Sequence, residues 1–412
     1  MDLLNSAASA AERGTTIGTQ NKRLRAWRIW QEFLPSIGIK GDDLLETLDE
    51  WNRQIVCICF AQAVRSAEFS GQRKKDLAAA TVIDSLSYVA QAFRSVNRAD
   101  PTLDTDGARC FMLEQVYRGY KNLDPPTKQQ KAIPVSVLRK MYNLAKLIQN
   151  APQIARAELA CLAFFFCMRS CEYSKTVADE SKRTKTLTLG NARFFKNRIL
   201  LPHTSFFLAT ADFVDLIFMF QKNDNRNESV GTHRAENSKD FMCPVKLAAS
   251  VVQRVLSYPG SSSDSKLNLM ISNKGTPFEI SSTSIRKDIK NIVKIMGPEI
   301  LGFSSDDVGT HSIRSGGAMA LHLANVSPVT IQMIGRWRSD SFLLYIRKQV
   351  QKFSIGLSDR MLESEDYFTT PDYRNIASPS APAPAPVSPH ELNGLTHKSL
   401  GTWHHPITIS TD

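Results

Sequence analysis

The chain has 412 residues, a length that suits two or three domains and excludes a single small one. Apolar residues make up 42% of it and charged residues 22%, so most of the chain has enough apolar surface to bury a core. No apolar run reaches about 18 residues, and the first residues lack the apolar stretch of a secretory signal. We therefore expect a protein that neither spans a membrane nor is secreted.

The charge of the chain is unevenly distributed. Lys and Arg number 51 against 40 Asp and Glu, a formal net charge of +11. Residues 123–365 hold 33 basic and 21 acidic side chains, whereas residues 1–122 hold 16 and 15. A basic excess predicts a polyanionic partner, nucleic acid first and an anionic membrane second. Charge alone leaves open the alternative of a merely soluble basic surface.

The seven cysteines are odd in number, and several stand inside apolar runs such as CLAFFFCM. This usage is typical of small buried side chains in a reducing compartment. Cys167 and Cys171 lie four residues apart, but no His or second Cys pair follows at the spacing of zinc ligands. We therefore expect no metal site.

Composition and turn residues predict five segments. Residues 1–17 form a flexible N-terminus, and residues 18–122 form a helical bundle. Residues 123–134, which contain the helix-breaking string DPPTK, form a linker to a second domain over residues 135–365. Residues 366–412 hold SPSAPAPAPVSP and form a Pro-rich tail that cannot bury enough apolar area to order itself.

Apolar periodicity predicts a mainly α fold with a small β-sheet. Four amphipathic helices are expected within residues 18–122, from stripes such as Val82, Leu86, Val89 and Phe93. Further helices are predicted at 135–148, 155–170, 244–256, 281–296, 311–324, 328–334 and 341–352. Strands are predicted at 186–189, 198–201, 212–220 and 229–234, with the polar run KNDNRNESVG as a hairpin turn.

The densest chemical signal is the string GTHSIRSGGA at residues 309–318. If Thr310 caps the helix, His311 and Arg314 lie three residues apart on one face of its first turns. A helix N-terminus already favours anions, and Arg gives bidentate bonds to phosphate oxygens. The pattern therefore predicts a phosphate site with a proton-transfer group beside it, and the small residues at 315–318 would permit close backbone packing. A surface His and Arg remain the common alternative for such a short motif.

About 20 residues later stands the string GRWRSDSFLLYIR, residues 335–347. Together with the H-x-x-R motif, it resembles the tyrosine recombinases, also called phage-integrase-type recombinases, in the branch carried by eukaryotic Crypton-type mobile elements. The resemblance is specific over residues 309–347 and weaker over the rest of residues 20–365. It implies an N-terminal helical core-binding bundle and a mixed α/β catalytic domain.

The resemblance also implies a set of site residues. The first family arginine, usually found in a helix as R-x-x-E, matches Arg169, with Glu172 in support. The family lysine of a β-hairpin matches Lys222, which would protonate the leaving 5′-oxygen as a general acid. Lys196, also near a strand turn, remains the alternative.

The remaining members of that set lie near the end of the second domain. His311 and Arg314 match the family H-x-x-R, and Trp337 matches a position usually held by His or Trp. Tyr345 is the inferred nucleophile, in preference to Tyr367 and Tyr373, which stand near the tail. The spacing of eight residues from Trp337 to Tyr345 is one fewer than the commonest bacterial spacing.

The activity implied is the breaking and rejoining of duplex DNA through a covalent 3′-phosphotyrosyl link, without metal, ATP or another cofactor. The implied assembly is a homotetramer on two DNA sites, with nuclear localisation in a eukaryotic host and cytoplasmic localisation otherwise. Two alternatives stay open: a type IB topoisomerase-like enzyme that relaxes supercoils, and a domesticated, catalytically silent DNA-binding protein.

Overall fold

The structure is a computed structural model, and it describes residues 6, 10, 14–69, 76–126, 130–176, 184–220, 226–235, 241–272, 274–338 and 343. Most of the predicted flexible N-terminus, the predicted helix 341–352 and the predicted tail therefore lie outside the described residues. None of the described helices is both long and apolar enough to cross a bilayer.

The described residues between Ile17 and Leu123 form four helices, as the sequence predicts. They are α1 (Ile17–Ser36), α2 (Glu50–Arg65), α3 (Ala79–Ser95) and α4 (Phe111–Leu123). Their inward stripes share one apolar cluster, in which the ring of Trp30 lies 5.0 Å from that of Phe60 and 6.2 Å from that of Phe93. Not every apolar residue of these helices is buried, since Leu24 and Phe111 are exposed.

The carboxylate of Asp124 ties the end of α4 to the start of α3. It accepts a hydrogen bond of 2.7 Å from the backbone N–H of Ala79 and forms an ion pair with the buried Arg65. The pKa of Asp124 is lowered by these bonds, first by the one from Arg65. The first two residues of the predicted linker, Leu123 and Asp124, are therefore part of the bundle. The domain boundaries as a whole stay a prediction.

The second part of the chain surrounds a separate apolar cluster that extends from Ile133 to Ile313. Its helices are α5 (Val135–Ile148), α6 (Ala151–Phe165), α7 (Ser170–Tyr173), α8 (Pro244–Leu256), α9 (Ser282–Met296), α10 (Pro298–Leu301), α11 (His311–Leu323) and α12 (Pro328–Gly335). Ser327 caps α12, its Oγ accepting from the backbone N–H of Thr330, and Pro328 is the first residue of the helix.

Two small antiparallel sheets complete this part. Strands β1 (Ala192–Lys196), β2 (Ile199–Leu201), β3 (Phe213–Phe220) and β4 (Arg226–His233) form one sheet in the order β2-β1-β3-β4. Strands β5 (Leu269–Ile271) and β6 (Pro277–Glu279) form the other. The architecture is thus mainly helical with a small antiparallel component, which confirms the predicted fold class.

Several predicted elements are corrected by the structure. Residues 186–189 are not a strand. They lead into a short 3-10 helix in which the side chain of Asn191 accepts from the backbone N–H of Thr188, and the strand follows at β1. The helix predicted at 155–170 begins earlier, where Asn150 caps it, and it ends at Phe165. Strands β1, β5 and β6 were not predicted.

Two adjacent glycines let α11 lie directly against the backbone of its neighbours. A Cβ atom on Gly316 would stand 2.3 Å from the carbonyl oxygen of Ile133, and one on Gly317 would stand 2.3 Å from that of Phe164. The expectation that small residues at 315–318 permit close backbone packing matches this geometry. The contact sets the depth at which α11 enters the core, and so the position of its first turn.

Candidate active site

Arg169 and Glu172 lie at the break between α6 and α7. Arg169 is the N-cap of α7, with extended backbone, so the prediction that it falls inside a helix is wrong. Its backbone N–H donates to the Glu172 carboxylate at 2.7 Å, and its Nη1 donates to the same carboxylate at 3.0 Å. The Arg169 side chain remains 19% exposed, whereas that of Glu172 is 1% exposed. The pair therefore joins the buried carboxylate of Glu172 to the partly exposed guanidinium of Arg169.

A second arginine, Arg336, also binds the Glu172 carboxylate, at the oxygen that accepts from the Arg169 backbone N–H. Its Nη2 donates to Glu172 Oε2 at 2.7 Å, with both side chains essentially removed from solvent. Burial alone would raise the pKa of Glu172, but the guanidinium groups of Arg336, Arg169 and Arg314 outweigh it and the pKa is lowered. Glu172 is therefore ionised, and these four side chains together carry an excess of positive charge.

Arg314 enters the same cluster from the first turn of α11. Its residue exposure is 2%, and its guanidinium donates to the carbonyl oxygens of Cys167 and, at 2.6 Å, Gly335. Burial first, and then the neighbouring Arg169, lower its pKa to about 10, which leaves it charged at neutral pH. Arg314 thus joins the end of α6 to the end of α12.

Trp337 covers Arg314. The guanidinium carbon of Arg314 lies 4.3 Å from the centroid of the Trp337 ring, a cation–π contact. The ring occupies space left by Gly335, where a Cβ atom would stand 1.7 Å from the nearest ring carbon. The Trp337 ring therefore covers one face of the Arg314 guanidinium.

His311 is the first residue of α11 and is exposed. Thr310 occupies the N-cap position but makes no capping bond with its side chain, in contrast to the sequence-based expectation. The backbone N–H of Gly309 instead donates to Ser312 Oγ at 3.1 Å. His311 and Arg314 are thus brought to one helix start, with His311 at the surface and Arg314 inside.

Of the two candidate lysines, the structure describes Lys196. Lys222 lies outside the described residues, between the end of β3 and the start of β4. Lys196 ends β1, where its Nζ donates to Thr210 Oγ1 at 3.1 Å and lies 4.8 Å from the centroid of the Phe207 ring. The register pairs Phe195 with Phe213, which puts Lys196 level with residue 212.

Phe218 ties the opposite end of β3 to the arginine cluster. Its ring centroid lies 3.5 Å from the guanidinium carbon of Arg336. The level of Lys196 is six residues from Phe218, which is about 20 Å along an extended strand. The described contacts therefore bring the β3–β4 end of the sheet, and not Lys196, to the cluster.

Tyr345, the predicted nucleophile, lies outside the described residues. Among the residues that the structure does describe, no group of three or more His, Cys, Asp or Glu side chains is arranged to hold a metal ion. The site residues that it brings together are Arg169, Glu172, Arg314 and Trp337, with His311 at the start of the same helix as Arg314.

Arg336 is the member of the cluster that the sequence-based reading missed. It stands next to Trp337, and a run of basic residues around one tryptophan, RWR, is typical of a surface. No local feature of the sequence marks it as the partner of a buried glutamate.

The solved structures to which the chain is similar include recombinases and integrases. XerH site-specific recombinase bound to palindromic difH substrate is 14% identical, with 83% of this chain and 80% of that chain covered and a TM-score of 0.49. Tn1549 transposon integrase in complex with transposon right end DNA is 12% identical, with 87% and 96% covered and a TM-score of 0.45. A lambda integrase dimer bound to a core site is 14% identical, with 79% and 96% covered and a TM-score of 0.40.

No protein-family model matches the chain, and no curated protein matches it either. With TM-scores below 0.5, the structural likenesses carry no weight for what this chain does.

Proposed function

We propose that the protein is a tyrosine recombinase, which breaks and rejoins duplex DNA at specific sites through a covalent 3′-phosphotyrosyl intermediate. The observation that carries the proposal is the cluster of Arg169, Glu172, Arg314 and Trp337, brought together from positions up to 168 residues apart. A preorganised excess of guanidinium charge suits the extra negative charge that develops on a phosphate in the transition state.

The proposed reaction balances without an external energy source. The phenol oxygen of Tyr345 forms a bond to the scissile phosphorus, and the bond from phosphorus to the 5′-oxygen breaks. The exposed His311 accepts the phenol proton, while the ammonium of Lys222 protonates the leaving 5′-oxygen. One phosphodiester bond replaces another, so attack by the 5′-hydroxyl of a partner strand reverses the step and joins the DNA. No step in this sequence calls for ATP, a metal ion or another cofactor.

The choice of Lys222 as general acid rests on the sheet register. Phe218, which contacts Arg336, is four residues before Lys222 in the sequence, whereas Lys196 lies about 20 Å from Phe218 along the strands. Lys196 is also engaged with Thr210. Lys222 is therefore the better candidate, on evidence from the strands that flank it.

The resemblance to elements of the Crypton type extends the proposal to a mobile-element origin, a homotetramer on two DNA sites and a nuclear location in a eukaryotic host. These expectations follow from the motif at residues 335–347.

The experiment uses nicked duplexes, because the target sequence is not known in advance. A library of duplexes with a randomised core carries one nick beside each core, so that the short cleaved fragment diffuses away and religation fails. Protein–DNA complexes that survive SDS are isolated and sequenced, and the enriched sequence is resynthesised as a single nicked duplex.

The wild-type protein should form an SDS-stable adduct on this duplex in buffer with EDTA and without ATP, and Tyr345→Phe should form none. Absence of a wild-type adduct, or an adduct with Tyr345→Phe, would contradict the proposal. DNA binding by the wild type without an adduct would favour the silent DNA-binding protein. Relaxation of supercoiled plasmid by single cleavage events, with no exchange between two sites, would favour the topoisomerase-like enzyme.

A further inference from the structure

The charged side chain of Arg336 is completely buried. Its side chain is 0% exposed, and burying a guanidinium is costly unless its charge and its donors are matched. Its Nη1 donates to the carbonyl oxygens of Phe166 at 3.2 Å and Ile334 at 3.0 Å, while its Nη2 binds Glu172. Such a complete enclosure excludes direct contact with DNA in this state.

The backbone of Arg336 also contacts Arg169. The residue ends α12 in the left-handed conformation, with φ 57° and ψ 48°, which costs a non-glycine residue about 1–2 kcal/mol. In this conformation its carbonyl oxygen accepts from Arg169 Nη2 at 3.4 Å. Arg336 therefore reaches Arg169 by two routes, directly through its carbonyl and indirectly through the shared carboxylate of Glu172.

We propose that Arg336 is a positioning residue. It fixes the guanidinium of Arg169 for the scissile phosphate by binding the Glu172 carboxylate, which in turn binds Arg169. This inference rests on the proposed function. Arg169 Nη1 donates to Glu172 Oε1, whereas the backbone N–H of Arg169 and Arg336 Nη2 both donate to Oε2. Arg336 thus adds a further bond that keeps the carboxylate turned toward the Arg169 guanidinium. A group that binds a transition state must be held by its own supporting bonds, because small displacements lose much of the rate.

The test measures the accessibility of Arg169 directly. Wild type, Arg336→Lys and a control variant are treated with phenylglyoxal, and mass spectrometry of chymotryptic peptides follows the rate at which each arginine is modified. The control is Arg254→Lys. Like Arg336, Arg254 donates to two backbone carbonyls and keeps a buried Nε without a partner, but it lies on α8 outside the cluster.

Modification of Arg169 should be about tenfold faster in Arg336→Lys than in the wild type, because a hydrogen bond to a charged group contributes about that factor or more. In Arg254→Lys, the rate of Arg169 modification should stay within about twofold of the wild-type rate. We expect this even if the two variants lower the unfolding temperature equally. On the enriched nicked duplex, Arg336→Lys should lower the rate of adduct formation at least about tenfold and leave the DNA Kd within about twofold.

Unchanged labelling of Arg169 in folded Arg336→Lys would overturn the inference, as would an equal effect of Arg254→Lys. If Arg336→Lys does not fold, Glu172→Asp takes its place, since a carboxylate one methylene shorter cannot span both arginines and should expose Arg169 likewise. The two proposals fail separately. Absence of a wild-type adduct contradicts the recombinase, whereas the labelling of Arg169 decides the positioning role without any reference to activity.

Discussion

The ring of Trp337 lies against the guanidinium of Arg314, with 4.3 Å between the guanidinium carbon and the ring centroid. The contact depends on Gly335, whose missing Cβ leaves the space that the ring fills. It closes the inner side of the cluster, so that Arg314 faces carbonyl oxygens and an aromatic ring.

Gly335→Ala should displace the Trp337 ring, because the new Cβ would stand 1.7 Å from a ring carbon. We expect a loss of about 1–3 kcal/mol in the free energy of unfolding, measured by urea denaturation. The control is Gly119→Ala on α4, where a Cβ meets nothing within 4 Å. That change should be neutral or stabilise by up to about 1 kcal/mol. Equal effects of the two substitutions would contradict the packing described here.

Gly317→Ala should separate α11 from α6, because its Cβ would stand 2.3 Å from the carbonyl oxygen of Phe164 and 2.9 Å from the Sγ of Cys167. A loss of about 1–3 kcal/mol is expected in the same urea experiment. Ala320→Ser, at an exposed position of the same helix, should change stability by no more than about 0.5 kcal/mol. If Gly317→Ala were as mild as this control, the close approach of the two helices would be refuted.

The stability of the protein should depend on the ionisation of Glu172. The pKa of this acid is lowered in the folded state, so its contribution is present above the ordinary glutamate pKa and is lost as the pH falls through the folded value. Glu172→Gln should cost about 3–5 kcal/mol at pH 7, since it leaves buried arginines without their counter-charge.

Urea unfolding at a series of pH values checks this dependence. The difference between wild type and Glu172→Gln should be largest at pH 7 and should shrink below about pH 4.3, the ordinary glutamate pKa. Glu114→Gln, which removes a surface ion pair with Arg118, should differ from the wild type by less than about 1 kcal/mol throughout. A difference for Glu172→Gln that does not vary with pH would show that its charge is not what matters.

Lys222→Ala should lower the rate of adduct formation about 10²–10⁴-fold on an ordinary phosphodiester, the range typical of a lost general acid. A bridging sulfur in place of the 5′-oxygen should restore the rate, because a thiolate leaves without a proton. Lys196→Ala should behave as the wild type on both substrates. Failure of the sulfur substrate to rescue Lys222→Ala, or a defect of Lys196→Ala that sulfur does rescue, would reassign the general acid.

Much of the helical frame follows from local patterns. Val135–Ile148 and Pro244–Leu256 are bounded as predicted, because their apolar spacing and the flanking residues agree. The end of α6 does not follow from such patterns. Arg314 and Arg336, more than 140 residues away, take the carbonyl oxygens of Cys167 and Phe166 and so stop the helix before Arg169.

The same long-range bonds explain why the role of Arg336 could not be predicted from the sequence. Local sequence cannot distinguish an arginine that pairs with a buried glutamate from one that faces solvent. The backbone of Cys167 could not be predicted either. It is left-handed, with φ 44°, its carbonyl oxygen accepts from Arg314, and no local sequence pattern indicates this conformation. The site residues Lys222 and Tyr345 stay predictions from the motif.

The identity of the residue joined to DNA is the most direct measurement of the proposed chemistry. The adduct formed on the enriched nicked duplex is digested with nuclease and trypsin, and the modified peptide is sequenced by mass spectrometry. The proposal predicts a nucleotide joined through its 3′-phosphate to Tyr345, within the tryptic peptide SDSFLLYIR of residues 339–347. A nucleotide joined to any other residue, or joined through a 5′-phosphate, would contradict it.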